Sequence, residues 1–145
     1  MKLSRTVAYA IQATLQLAEL DSNTPVPCSK LAAQGGMPER FLLQVLRSLV
    51  THGILQSTRG VEGGYSLVKP PEEISVLELI EAIDGPMASN LSAADGLSEV
   101  SQSKLHSALE EVTTTAREQL QALKLSQILP APKPIAPIND FPSAN

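Results

Sequence analysis

Apolar residues recur at helical spacing near the start of the chain. Leu3, Val7, Ala10, Ile11, Leu15 and Ala18 share one stripe, which predicts a helix over 3–20. Thr14 interrupts the stripe with a small side chain that a helix face tolerates. The stretch from Asp21 to Pro27, with two prolines, ends it. Ser29 is placed to cap a short second helix through Gln34, closed by Gly35-Gly36. Pro38 suits the first position of a third helix, where a missing N–H costs nothing. Phe41, Leu42, Val45, Leu46, Leu49 and Val50 then form one apolar face, and Gly53 stops it. Two β-prone runs, Ile54–Arg59 and Tyr65–Lys69, flank Gly60-Val-Glu-Gly-Gly64 and predict a hairpin closed by Pro70-Pro71. Ser75 and Glu78 form a capping box ahead of Leu79, Ile80 and Ile83, and Gly85-Pro86 ends that helix.

Beyond it, a Ser/Ala/Gly-rich connection spans 87–103, and a long helix runs to about Lys124. On that helix Leu105, Leu109, Val112, Ala116, Leu120 and Leu123 recur every third or fourth residue, a seam suited to a second helix. A short apolar segment, 125–129, precedes a tail over 130–145 whose five prolines predict a disordered or extended segment. The order helix, helix, turn, helix, hairpin predicts a mainly α fold with a small β-hairpin wing. This is a winged helix-turn-helix over 1–86, followed by a loop over 87–103 and dimerisation helices over 104–129.

Composition agrees with packed helices. The chain is 43% hydrophobic but only 3% aromatic, with no Trp, so its core is built from Leu, Ile, Val and Ala. No apolar run approaches the roughly 20 residues that span a bilayer, and no export signal is visible, so a cytoplasmic location is expected. Cys28 is the sole cysteine, which excludes an intrachain disulfide. It precedes a helix start, where the dipole can lower a thiol pKa, making it a candidate redox thiol; a small linker residue is the plainer alternative. Net charge is −4, yet residues 1–69 carry seven basic against four acidic groups, and residues 70–145 four against eleven. A basic reader joined to an acidic second half would show this asymmetry. Two histidines, His52 and His106, with no nucleophile elbow, phosphate loop or paired metal-binding histidines, argue against an enzyme.

The residues resemble the IscR, NsrR and CymR regulators, bacterial winged-helix transcription factors of the Rrf2 family. The likeness begins at Leu3-Ser4-Arg5 and Tyr9-Ala10, and continues through Phe41-Leu42, Gln44 and Gly53-Ile54-Leu55. It is strongest at Arg59-Gly60-x-x-Gly63-Gly64-Tyr65-Ser-Leu, which matches the family's wing, and also takes in Ile74-Ser75-Val76 and Ile83-Asp84-Gly85. It covers roughly residues 1–129.

The resemblance implies a homodimeric, sequence-specific regulator of a double-stranded DNA operator, expected to repress. The alternative is a winged-helix protein-interaction module. Arg40 and Gln44, four apart beside Glu39, have the chemistry to read guanine and adenine edges. Phe41 stands where the family has an aromatic near DNA, and Arg47 lies within reach of phosphate. Arg59 is expected at the minor groove, with Gly63 and Gly64 keeping the wing slim. Lys2, Ser4, Arg5 and Lys30 are candidate phosphate contacts, and Tyr9 completes the set. Many relatives hold an iron–sulfur cluster through three cysteines after the Gly85-Pro86 region. Here those positions fall near Ser92, Ser98 and Lys104, and 87–106 contains no cysteine. Such clusters need thiolates, so no metal or cofactor is expected. His106 reads as a surface or dimer-contact residue. The loop would be held by Leu91, Leu97 and Val100 packing against the helices, or by an unknown small-molecule effector.

Overall fold

The computed structural model describes residues 1–20, 23–90 and 96–130; the proline-rich stretch 131–145, Leu91 and Ser92 lie outside the described residues. Helix α1 (Arg5–Glu19) starts at Ser4, whose hydroxyl accepts the Val7 N–H at 3.2 Å. Its buried stripe is Val7, Ala10, Ala13, Thr14 and Leu17, so Leu3 lies exposed and Ile11, Leu15 and Ala18 flank the stripe half-buried. Thr14 is buried because its hydroxyl donates to the Ala10 carbonyl, leaving no unsatisfied polar group.

Helix α2 (Cys28–Gly35) begins at Cys28, and Pro27 occupies its cap position. Ser29 therefore lies inside the first turn and does not cap it. Helix α3 (Glu39–Thr51) likewise begins after Pro38, which is the cap residue rather than the first helical one. Pro38 is extended, and its carbonyl takes the Leu42 N–H at 2.9 Å, making the first helical bond. Leu42, Val45, Leu46 and Leu49 are buried along α3, as the periodicity predicts, whereas Val50 of the same face is half-buried and Phe41 is exposed.

Strands β1 (Leu55–Thr58) and β2 (Gly64–Leu67) pair antiparallel, with Leu55 opposite Leu67 and Thr58 opposite Gly64. A 3-10 turn over Pro71–Glu73 leads to α4 (Val76–Asp84). The predicted capping box is present: Glu78 N–H donates to Ser75 Oγ at 3.1 Å, and Ser75 N–H to Glu78 at 2.8 Å. Burial alone would raise the Glu78 carboxyl, but bonds from Lys69 and Ser75 outweigh it and hold the pKa below the usual glutamate value.

Helix α5 (Glu99–Ala122) starts earlier than position 104, because Ser98 Oγ accepts the Ser101 N–H at 3.2 Å and caps it. The chain then returns to the core: Val76 N–H donates to Leu123 O at 2.9 Å, and Leu125 N–H to Ile74 O at 2.8 Å. Helix α6 (Leu125–Ile128) follows, with Leu125 fully buried. The main core joins α1, α2, α3, the wing and α4, while Val7, Val76 and Ile80 form a smaller cluster under Leu120 of α5 and Leu123, which follows that helix.

Candidate nucleic-acid interface

The turn between α2 and α3 is fixed by local chemistry and by α1. Gly36 ends α2 in the left-handed region at φ 62°, which glycine adopts without strain. Gln12 donates to Gly35 O at 2.8 Å and Gln16 to Leu31 O at 3.3 Å, so α1 side chains satisfy carbonyls near the end of α2. A Cβ on Gly35 would strike the Gln12 amide and the Met37 side chain. With Met37 buried behind the turn, the angle between the two helices is set.

That angle leaves Arg40, Gln44 and Arg47 exposed on α3, opposite its buried leucines. Glu39 is exposed at the first helical position, where the dipole favours a carboxylate. Phe41 is 39% exposed and meets the half-buried Tyr9 edge-on, with ring centroids 5.7 Å apart. Tyr9 thus serves as a support for Phe41.

The wing stands beside α3 across a cleft of about 700 Å³. Arg47, Val50 and Thr51 form one wall, and Ser57, Thr58 and Arg59 the other, with Cys28 also reaching the cleft. The wing's base is anchored by a pair of bonds absent from any hairpin pattern: Val26 N–H to Tyr65 O at 2.9 Å, and Tyr65 N–H to Val26 O at 2.8 Å. This close approach explains Gly64, and the hairpin's own backbone explains Gly63. A Cβ on Gly64, at φ 153°, would fall on the Val26 carbonyl, and one on Gly63 on the Thr58 carbonyl. Both positions shape the wing from within.

Lys2, Arg5 and Lys30 are exposed, and among the described residues none of the cations Lys2, Arg5, Lys30, Arg40, Arg47 and Arg59 enters an ion pair. Ser4 acts within the fold. Besides capping α1, its hydroxyl lies 3.5 Å from both Asp84 carboxylate oxygens. Cys28 departs from the low-pKa expectation. Burial first, and the Glu39 charge second, push its thiol upward, and it points to Glu39 O at 3.7 Å.

The loop after α4 is held differently from the expected apolar packing. Leu97 and Val100 are exposed. Arg117 of α5 instead donates to Glu81 at 2.8 Å and to Met87 O at 3.0 Å, while Met87 N–H donates to Glu81 at 2.9 Å. The Arg117 bond, with Met87's, outweighs burial and holds the Glu81 carboxyl below the ordinary range. Donor chemistry does not fit an iron–sulfur cluster. Ser98 is a helix cap, Lys104 is an exposed cation on α5, and Cys28 belongs to α2. No group of three or more His, Cys, Asp or Glu residues that could hold a metal occurs among the described residues. No described helix is long and apolar enough to cross a membrane.

Sequence patterning missed Gln12, Gln16, Val26 and Arg117. The two glutamines sit four apart on α1, a spacing that marks a shared face but not what that face touches.

Comparison with known proteins agrees with this geometry. Residues 3–131 match the family model Rrf2, described as an iron-dependent transcriptional regulator. The chain is 37% identical over 123 residues to the putative HTH-type transcriptional regulator Rv1287 of Mycobacterium tuberculosis, covering 85% of this chain and 75% of that one. The solved structure of CymR, the global cysteine regulator of B. subtilis, superposes with a TM-score of 0.70 at 23% identity, over 87% of this chain and 94% of that one. That of T. potens IscR gives 0.65 at 28% identity, over 87% and 84%. With its helix-turn-helix, wing and long C-terminal helix, the chain belongs to the Rrf2 family and is a DNA-binding transcription regulator.

Proposed function

We propose that this regulator grips an operator duplex as a homodimer and represses by occupying it. Helix α3 lies in the major groove, where Arg40 and Gln44 meet base edges with forked or paired groups. Arg59 enters the adjacent minor groove, and the cleft between α3 and the wing seats the intervening backbone against Arg47. Lys2, Arg5 and Lys30 add phosphate contacts, which set register without reading sequence. The observation that carries this reading is the placement of two guanidinium groups, Arg47 and Arg59, on opposite walls of one cleft beside the exposed face of α3. Neither has an ion-pair partner among the described residues.

Dimerisation uses the seam on α5. No residue of α5 is buried in the single chain: Leu105 is 40% and Val112 66% exposed, Leu109 between them is half-buried, and so is Ala116 one turn beyond Val112. Leu120 and Leu123 at the other end already pack on the chain's own cluster. The seam therefore divides, its first half meeting a second copy and its last half joining α5 to its own domain. The regulator acts in the cytoplasm by binding rather than catalysis, and holds no iron–sulfur cluster.

Fragments selected from the source genome, titrated at several salt concentrations, test this. Affinity should fall steeply and linearly on a log–log plot as phosphate-bound cations displace counterions. Binding that is absent, or indifferent to salt, would instead favour a protein-interaction module.

A further inference from the structure

Two hollows of opposite character flank α3. On the wing side lies the cleft with Arg47 and Arg59. On the other side, Thr6 of α1, Phe41, Gln44, Val45 and Ser48 of α3, and Ile83 of α4 line a pocket of about 270 Å³. None of these six residues is charged. Phe41, Val45 and Ile83 supply apolar wall. The Thr6 and Ser48 hydroxyls and the Gln44 amide make no hydrogen bond to another described residue, so three neutral polar groups remain available to a ligand.

This lining suits neither a DNA backbone nor an ion. A phosphate there would meet no cation, and a carboxylate or ammonium would lose hydration without a counter-charge. The volume is near the lower end for ligand pockets, which restricts the occupant to a small molecule. We propose that the pocket is an effector site for a small uncharged molecule with one apolar face and an amide- or hydroxyl-type group, and that its occupancy weakens operator binding. The coupling follows from shared residues. Gln44 and Phe41 are at once pocket wall and DNA-facing side chains, so a bound ligand competes for them. This rests on the reading of α3 as the recognition helix.

Benzamide is the probe, with benzoate and benzylammonium as charged counterparts of similar shape. Saturation-transfer NMR on the full chain measures ligand binding, and operator affinity is measured by anisotropy at constant ionic strength. Benzamide should bind better than either ion. At ten times its Kd it should weaken operator binding about tenfold, as one competing site requires. The double variant Thr6→Val, Ser48→Ala should weaken benzamide binding at least about tenfold, the loss of an order of magnitude corresponding to hydrogen bonds of ordinary strength, while keeping operator affinity without benzamide. The proposal is overturned if benzamide fails to bind, if benzoate binds as well, or if the double variant binds benzamide unchanged. Bound benzamide that leaves operator affinity unchanged overturns it too, as does a double variant with impaired operator binding in the absence of ligand. Operator binding by the unmodified protein without benzamide is scored separately, so failure of the recognition-helix reading is seen on its own.

Discussion

Individual residues in this protein divide between those that face outward from α3 and the wing and those that hold these elements in place. Gly64 belongs to the second kind. Its Cβ position is taken by the Val26 carbonyl, the point where the wing is bonded to the chain entering α2. Gly64→Ala should push the wing off this anchor and destabilise the fold by about 1–3 kcal/mol, the range for a residue forced into an unfavourable backbone region or contact. Operator affinity should fall with it. Denaturant unfolding checks the first effect, and unchanged stability would mean that the Val26–Tyr65 pairing does not anchor the wing. The wing glycines stand out in the sequence, but their reason does not. A hairpin motif accounts for a slim turn, whereas the demand on Gly64 comes from a residue far upstream.

At the scale of elements, sequence and structure agree where the interactions are local. The apolar period of α3 and the Ser75–Glu78 capping box can be read directly, since both depend on neighbours within a turn. The starts of α2 and α5 differ from the expected positions: α2 begins at Cys28 behind Pro27, which makes no side-chain cap bond, whereas Ser98 caps α5 ahead of the expected boundary. The Arg117–Glu81–Met87 junction leaves no local trace, because it links α4, the following loop and α5 across long sequence distances. It makes a pH prediction. The Glu81 pKa is depressed in the fold, so the stability it supplies is complete above the ordinary glutamate value of 4.5 and is lost as pH falls through the depressed value. Arg117→Met should therefore lower thermal stability near neutral pH, and its deficit against the unmodified protein should shrink in acid. Matched melting curves over this range check it; a deficit that stays constant with pH would exclude the ion pair as its cause.

For the whole molecule, the exposed half of α5 makes assembly the first question. Burying a fully exposed Leu or Val side chain contributes about 1.5–3 kcal/mol before ordering costs, so Leu105 and Val112 are the side chains that the proposed dimer would gain most by covering. Sedimentation at micromolar concentration should give a dimer, and Val112→Glu should shift it to monomer; a monomeric unmodified protein would contradict the assignment. The second question is iron. The family model is described as iron-dependent, yet this chain has a single cysteine thiol, in α2 rather than in the loop. Protein purified without oxygen should be colourless and bind its operator equally before and after chelator treatment. Stoichiometric iron and sulfide, with affinity lost on chelation, would show a site that the donor set does not reveal.

In the proposed complex the exposed face of α3 reads bases while the amino-terminal cations hold phosphate. The most direct measurement is the ratio of operator to random-duplex affinity at fixed salt, for the unmodified protein and for Arg40→Ala, Gln44→Ala, Lys2→Ala and Arg5→Ala. Loss of Arg40 or Gln44 should lower that ratio, costing about 1–3 kcal/mol at the operator with little change on random DNA. Loss of Lys2 or Arg5 should weaken both complexes alike, keep the ratio, and reduce the salt slope by about one. If all four substitutions weaken operator and random DNA equally, α3 is not the recognition helix.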